Sequence, residues 1–217
     1  HPQTLPQGGT VNLYGDPKIG KSYAGIQAAM AMCGATTDWL GFPVLGEFFG
    51  DALGRLLAIV GRQADLIAGN NVYAHVPDIN DFTRGLKAAL KPQGCITLEF
   101  PHLLQLLRNT QFDTIYHEHF SYLSLHAVGR IFERAGLRVW HVEELPTHGG
   151  SLRVHGCHLE ASRPASESVG IMLQREQVGG LLALPTYLEF QPRAEQLKNE
   201  LLAFLLDCKR QGKRVAA

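Results

Sequence analysis

The sequence predicts an α/β fold with a mostly parallel sheet, an antiparallel pair of strands at one edge and a helical C-terminal segment. Short apolar runs alternate with helical stretches through most of the chain, which is typical of parallel strands joined by crossover helices. The last two apolar runs, residues 137–142 and 151–157, are joined by a loop that is too short for a crossover helix. We therefore expect these two strands to pair antiparallel.

The first half of the chain alternates strands and helices between glycine, proline and asparagine turns. Asp78 or Asn80 can cap a helix, and Pro92 and Gly94 lie where that helix should end. In order, we expect a strand over residues 11–14, a helix over 22–33, a helix over 51–61, a buried strand over 64–68, a helix over about 78–90, and a strand over 95–100.

The second half should continue with a helix over residues 125–135, which Gly136 closes, and then with the two antiparallel strands. From Ser166 onward the chain is mainly helical, with interruptions at Pro185 and Pro192. The last helix carries one apolar stripe, formed by Leu197, Leu201, Phe204, Leu205 and Cys208.

Composition excludes several classes of protein. Lys+Arg 20 balance Asp+Glu 20 in the 217 residues, so neither a nucleic acid nor an anionic membrane is the expected main partner. No run of about 18 apolar residues could span a membrane. The four isolated cysteines indicate reduced thiols in a cytoplasmic protein. Eight of the ten histidines, however, fall between His102 and His158, and this cluster deserves a chemical explanation.

A glycine-bounded loop near the start suggests one function. Gly15, Gly20, Lys21 and Ser22 occupy the fixed positions of the pattern G-x-x-x-x-G-K-[ST], between a predicted strand and a predicted helix. In such a loop Lys21 would reach terminal phosphates and Ser22 would bind Mg²⁺. Residues 1–44 resemble the start of a RecA-type P-loop ATPase, and Mg-ATP is therefore an alternative cofactor. The expected acidic partner for Mg²⁺ is not found after the strand at 64–68.

The histidine cluster suggests another function. Its densest part is Tyr116-His117-Glu118-His119. An imidazole works well as a general base near neutral pH, so His119 is a natural base, and Tyr116 could donate to a developing oxyanion. A purely structural hydrogen-bonding role stays open. We expect no metal here, because the H-E-x-x-H spacing of zinc enzymes is absent.

From about residue 47 to residue 217 the chain resembles the S-adenosylmethionine-dependent sugar C-methyltransferases of deoxysugar biosynthesis. The stretches that carry the resemblance are EFFGDAL, ADLIAGNNVYAHVPDINDF, ITLEFPHLL, QFDTIYHEHFSYLSL and VEELPTHGGSLRV. The resemblance implies a Rossmann-like methyltransferase sheet, S-adenosylmethionine as the cofactor and a nucleotide-linked keto-deoxysugar as the substrate. It implies no particular sugar and no oligomeric state.

The resemblance also implies a mechanism and roles for individual residues. A base removes the proton next to the ketone, and the resulting enolate carbon takes the methyl group. His119 corresponds to the base, Tyr116 and Glu118 to residues that hold or polarise the sugar, and His75 to a further active-site histidine. Asn70, Asn71, Phe49 and Gly50 correspond to cofactor-binding positions, and Glu99, His117 and His148 to positions that face the substrate.

The sequence departs from this family at its start. The N-terminal cysteine-rich zinc module and the acidic, glycine-rich cofactor loop are not found, and residues 1–44 carry the P-loop pattern instead. This segment is either foreign to the family or replaces its first strand–helix unit. We expect a methyltransferase-like α/β domain over residues 45–165 and a helical extension over 166–217, which in the family leads to a further C-terminal domain. A non-catalytic chimeric fragment is the remaining alternative.

Overall fold

The structure, a computed structural model, describes residues 10–14, 38–39, 42–43, 45 and 47–216. Within these residues a five-stranded sheet has the order β1-β4-β5-β7-β6. Its strands are β1 (Thr10–Tyr14), β4 (Ala64–Asn70), β5 (Leu90–Pro101), β6 (Leu137–Leu145) and β7 (Ser151–His158). Strands β2 (Asp38–Trp39) and β3 (Phe42–Pro43) form a separate two-stranded antiparallel pair.

The directions of the strands confirm the predicted fold class. β1, β4 and β5 pair in parallel, and β7 pairs antiparallel with both β5 and β6. β7 is thus the one strand of the described sheet that opposes the other four. The predicted antiparallel edge pair is β6 with β7, joined by a loop that contains a short 3₁₀ helix, Thr147–Gly149.

Seven α-helices are described. Asp78 caps the second of them by accepting a hydrogen bond from the Asp81 N–H at 2.9 Å, and Gly136 closes the fourth with a left-handed φ of 78°. The helices are α1 (Asp51–Ile59), α2 (Ile79–Ala89), α3 (Leu103–Arg108), α4 (Leu125–Ala135), α5 (Glu167–Val178), α6 (Leu184–Leu188) and α7 (Phe190–Arg210).

Three features differ from the sequence prediction. β5 begins at Leu90, directly after α2, rather than at residue 95, because Leu90 is fully buried and extended where the helix stops. Helix α3 was not predicted at all; its six residues are short for a periodicity signal, and three of them, Leu104, Leu106 and Leu107, pack with Leu181 in a small second core. Proline does not interrupt α7, since Pro192 lies in its first turn, where a missing N–H costs nothing.

The main core lies between the sheet and helices α2 and α4. Ile67, Ile96 and Leu98 of the sheet and Leu86 and Phe132 of the helices are fully buried there. The apolar stripe of α7 is different: Leu197, Leu201 and Phe204 are 45%, 57% and 62% exposed, and only Cys208 of the stripe is buried. Of the helices that the structure describes, none has the length and apolar character needed to cross a membrane.

Candidate active site

The first part of the site follows the carboxyl end of β4. A 3₁₀ helix, Tyr73–His75, starts three residues after the strand ends. Tyr73 anchors it, since its ring is fully buried and its hydroxyl lies 2.7 Å from Thr83 Oγ1. The Thr83 hydroxyl donates to the carbonyl of Ile79, so Tyr73 must donate to Thr83. Burial raises the pKa of Tyr73, which keeps this phenol a neutral donor.

The second part is the loop that carries the Tyr116–His119 motif. It is a turn rather than a strand, and it follows a 3₁₀ helix, Phe112–Thr114. The N–H groups of Phe120 and Ser121 both donate to the carbonyl of Ala74, at 2.9 and 3.2 Å. These two bonds tie the motif loop to the 3₁₀ helix that holds His75.

The aromatic side chains of the two loops stack on one another. The centroid of the His119 ring lies 4.6 Å from that of His75, 4.4 Å from that of Tyr116 and 5.8 Å from that of Tyr122. His75, Tyr116 and His119, predicted from distant parts of the sequence, are therefore in one cluster. Glu118 joins it through its backbone, because its carbonyl accepts a hydrogen bond from His75 Nδ1 at 2.9 Å.

Backbone carbonyls fix the tautomer of both imidazoles. His119 Nδ1 lies 2.9 Å from the carbonyl oxygen of Thr114, and a carbonyl can only accept a hydrogen bond. Nδ1 therefore carries the proton, and in the neutral ring Nε2 is the basic nitrogen. The same reasoning applies to His75 and the Glu118 carbonyl. An imidazole held by one nitrogen with the other basic is the arrangement that a general base needs.

A shallow, mainly apolar pocket opens beside His119. Burial raises the pKa of Tyr122, and a hydrogen bond with the backbone of Tyr116 lowers it in part, so Tyr122 is a neutral phenol next to His119. The residues lining the pocket are Ala74, Pro101, Leu103, Leu106, Thr114, His119, Ser121 and Tyr122.

Asn70 and Asn71 lie where β4 ends, at the edge of the sheet where ligands of open α/β folds bind. Asn70 is exposed. Asn71 has a left-handed φ of 54°, and its N–H donates to the Glu99 carbonyl at 2.8 Å. Its side-chain oxygen Oδ1 is buried and has no hydrogen-bond partner among the described residues. A strained residue with an unpaired buried acceptor is suited to a ligand that brings a donor.

Phe49 and Gly50 are explained by packing instead. The ring of Phe49 meets that of Phe82 edge-on at 5.3 Å. Gly50 is buried, and a Cβ placed on it would lie 2.0 Å from Asp81 Oδ2. Both residues fit the start of α1 against α2. Their assignment to the cofactor stays a prediction.

The residues predicted to face the substrate are dispersed. Glu99 is buried, and its carboxylate accepts from Arg153 Nη2 at 2.9 Å and from Thr147 Oγ1 at 3.0 Å. His117 is exposed on the motif loop. His148 is exposed too and has a left-handed φ of 52°.

The loop that carries His148 nevertheless reaches the motif loop. Gln111 Nε2 donates to the carbonyl of Gly149 at 2.8 Å. A side chain at Gly149 would meet Gln111 Nε2 at 2.2 Å, and the φ of Gly149 is +75°, so glycine is required here. The contact brings the PTHGGS loop next to the 3₁₀ helix before Tyr116.

Sequence reasoning missed several polar residues around the site. Tyr122 and Gln111 lie inside the quoted motif and could have been found from it. His102 and Glu176 are 74 positions apart, 1% and 0% exposed, and joined at 2.8 Å, a pairing that no local pattern indicates. His155, whose pKa burial lowers while Glu143 raises it in part, belongs to another unpredicted cluster on β6 and β7. The P-loop positions Gly15, Gly20, Lys21 and Ser22 lie outside the described residues.

Known proteins resemble most of this chain. Residues 146–217 match a family described as the C-methyltransferase C-terminal domain. The chain is 35% identical over 199 residues to the C-methyltransferase NovU of Streptomyces niveus. This alignment covers 92% of this chain and 47% of NovU. The chain thus spans about half the length of this curated relative.

Solved structures align with smaller parts. Magnesium protoporphyrin IX methyltransferase (ChlM) from Synechocystis PCC 6803 shares 15% identity over 47% of this chain and 48% of its own, with a TM-score of 0.36. An S-adenosylmethionine dependent methyltransferase from Mesorhizobium loti shares 17% identity over 43% of this chain and 61% of its own, with a TM-score of 0.35.

A second family model matches a longer part of the chain, which includes strands of the sheet and the motif loop. Residues 24–142, more than half of the chain, match the family described as the methyltransferase domain. That range includes β4, β5, the loops that carry His75 and Tyr116–His119, and most of β6. The chain therefore belongs to the methyltransferase-domain family.

Proposed function

We propose that this chain is a C-methyltransferase that uses S-adenosylmethionine to methylate a nucleotide-linked keto-deoxysugar. The observation that carries the proposal is the His75–Tyr116–His119 ring cluster, in which His119 Nδ1 donates to the Thr114 carbonyl and Nε2 is the basic nitrogen. The similarity to the C-methyltransferase NovU supports transfer to carbon.

In this proposal His119 is the general base. Its Nε2 takes the proton from the carbon next to the ketone, and the electron pair of that C–H bond moves into an enolate. The enolate carbon would then attack the methyl group of S-adenosylmethionine, and the S–CH₃ bond would break with its electron pair left on sulfur, so that S-adenosylhomocysteine leaves as a neutral thioether. A positioned base of this kind contributes about 10²–10⁴-fold to a rate.

Tyr116 and Glu118 hold and polarise the sugar, and His75 completes the polar wall on the other side of His119. Tyr116 is 39% exposed and stacks on His119, so its hydroxyl can reach a ligand beside the base. A phenol that donates to the developing enolate oxygen stabilises the charge that forms when the proton leaves.

Asn71 is the residue best suited to hold the cofactor. Its buried, unpaired Oδ1 requires a donor, and the methionyl ammonium of S-adenosylmethionine is such a donor. When bound, S-adenosylmethionine supplies an electrophilic methyl group, which needs alignment and the exclusion of water rather than a metal. Asn70, at the same edge, is the second residue proposed to line this part of the cofactor.

The first test separates this function from the P-loop alternative. The full 217-residue chain is titrated calorimetrically with S-adenosylhomocysteine and, separately, with Mg-ATP. We expect binding of S-adenosylhomocysteine that weakens in Asn71→Ala. Binding of Mg-ATP that disappears in Lys21→Ala, with no response to S-adenosylhomocysteine, would overturn the proposal.

The second test addresses the base. With a keto-deoxysugar nucleotide in D₂O, the chain should exchange the hydrogen next to the ketone for deuterium. His119→Gln should lower this exchange and methyl transfer together, by about 10²-fold or more, whereas the control His126→Ala should lower neither. Unchanged exchange in His119→Gln would show that another group is the base.

A further inference from the structure

A second cluster of imidazoles lies on the antiparallel edge pair. His141 and Glu143 are two positions apart on β6, so both side chains lie on the same face of the strand. His155 of β7 is opposite His141 in the register, because a bulge between Val139 and His141 shifts the pairing at Trp140. The bulge therefore puts two imidazoles and a carboxylate side by side.

The distances are close to those of a metal site. Glu143 Oε1 lies 2.9 Å from His155 Nε2 and 3.6 Å from His141 Nε2. The ligand atoms of the three side chains are all within 4.8 Å of one another. Two ligands on a tetrahedral Zn²⁺ with bonds of about 2.0–2.1 Å are roughly 3.3 Å apart, so small side-chain rotations would bring all three onto one ion.

The surroundings favour binding from solvent. The side chains of His141, Glu143 and His155 are 31%, 40% and 17% exposed, so a hydrated ion can reach them. The His141 ring is fixed at its Nδ1, which lies 3.1 Å from Ser168 Oγ. Its other nitrogen, Nε2, faces Glu143. Such a contact orients a ligating imidazole.

The nearby cation does not occupy the cluster. Arg153 Nη1 lies 3.7 Å from the other carboxylate oxygen of Glu143, while its Nη2 is bonded to Glu99 at 2.9 Å. One guanidinium thus faces two carboxylates, which leaves one negative charge uncompensated when the imidazoles are neutral. A divalent cation would balance it.

We propose that His141, Glu143 and His155 form a binding site for a divalent transition-metal ion, with Zn²⁺ as the occupant. Two imidazole nitrogens and one carboxylate oxygen suit Zn²⁺, whereas Mg²⁺ and Ca²⁺ require sites built from oxygen. The bound ion cross-links β6 to β7, with water in the fourth position. This site is independent of the proposed function, because no step of the proposed methyl transfer is assigned to the ion.

The test is a Zn²⁺ titration of the chelator-treated 217-residue chain by calorimetry and thermal unfolding. We expect binding that weakens by about tenfold or more in Glu143→Gln and in His155→Ala, with loss of the Zn²⁺-induced rise in Tm. The control His126→Ala, a histidine outside the cluster, should bind as the wild type does.

A measurement on the wild type covers the case in which a variant does not fold. One equivalent of Zn²⁺ should shift the imidazole nitrogen NMR signals of two histidines, assigned to His141 and His155. The proposal is wrong if the wild type binds no Zn²⁺ at millimolar concentration, if both variants bind it unchanged, or if other histidines shift instead.

Discussion

Glu176→Ala should be the most damaging single substitution remote from the ring cluster. The Glu176 side chain is fully buried and accepts three hydrogen bonds, from His102 Nε2 at 2.8 Å and from the N–H groups of Leu125 and His126 at 2.5 and 2.9 Å. The last two are N–H groups in the first turn of α4, which favours a negative charge.

The magnitude follows from the donors that the substitution leaves behind. Each buried donor without a partner costs about 1–3 kcal/mol, so three donors cost roughly 3–9 kcal/mol if nothing replaces the carboxylate. Water entering the vacated space satisfies part of them. We therefore expect a loss of about 3–5 kcal/mol, the range found when one partner of a buried pair is removed. Since whole domains are stable by about 5–15 kcal/mol, the variant should fold but be marginal.

The assay is urea-induced unfolding followed by circular dichroism, with matched controls. Glu176→Gln keeps one acceptor oxygen but points an amide N–H₂ at a donor, so we expect an intermediate loss. Glu133→Ala, an exposed glutamate on α4, should change the free energy of unfolding by less than about 0.5 kcal/mol. A loss below about 1 kcal/mol in Glu176→Ala would refute the reasoning.

Three further predictions concern glycine packing, the cofactor edge and thiol reactivity. Gly85→Ala would place a Cβ 2.4 Å from the Gly50 carbonyl oxygen, whereas Gly129→Ala meets nothing within 4 Å. Alanine is favoured over glycine in a helix by about 1 kcal/mol at both positions, so the difference between the two variants reports the contact at Gly85. Urea unfolding should find Gly85→Ala about 1–3 kcal/mol less stable than Gly129→Ala. Equal free energies of unfolding would contradict the close approach of α1 and α2. In Asn71→Gly the glycine adopts the left-handed φ of 54° readily, so the free energy of unfolding should stay within about 1 kcal/mol of the wild type. The variant should nevertheless bind S-adenosylhomocysteine more weakly in calorimetry. Undiminished binding would show that Asn71 is not part of the proposed cofactor site. Cys157 is fully buried, and burial raises the pKa of its thiol. Iodoacetamide should therefore modify the partly exposed Cys95 first, as measured by peptide mass spectrometry. Equal rates of modification would show that β7 opens easily.

The sequence was sufficient for features that depend on neighbouring residues. Strand–helix alternation gave the α/β class, Asp78 gave the start of α2, and Gly136 gave the end of α4. The motif Tyr116–His119 was singled out by its own chemistry, whereas the role of His75 came from the family resemblance. The contact between the two depends on the two bonds to the Ala74 carbonyl.

What could not be predicted depends on contacts between distant segments. Glu176 reaches α4 across about 50 positions, and nothing beside it in the chain indicates a buried carboxylate. His141 meets His155 only because one bulged residue shifts the register of β6. Phe49 and Gly50 were assigned to the cofactor by resemblance alone, and that assignment stays a prediction; the structure adds a close helix–helix contact at both residues, which the sequence did not indicate.

Backbone carbonyls fix the two histidines of the ring cluster. The structural contribution of the Glu118 backbone can therefore be tested separately from the proposed role of its carboxylate. Its carbonyl accepts from His75 Nδ1, which fixes that imidazole whatever side chain the position carries. The Thr114 carbonyl does the same for His119. Glu118→Gln therefore keeps the carbonyl and removes only the negative charge. A change in kcat in that variant would support the proposed action of the carboxylate on the sugar, while a variant that shifts the loop would alter both histidines together.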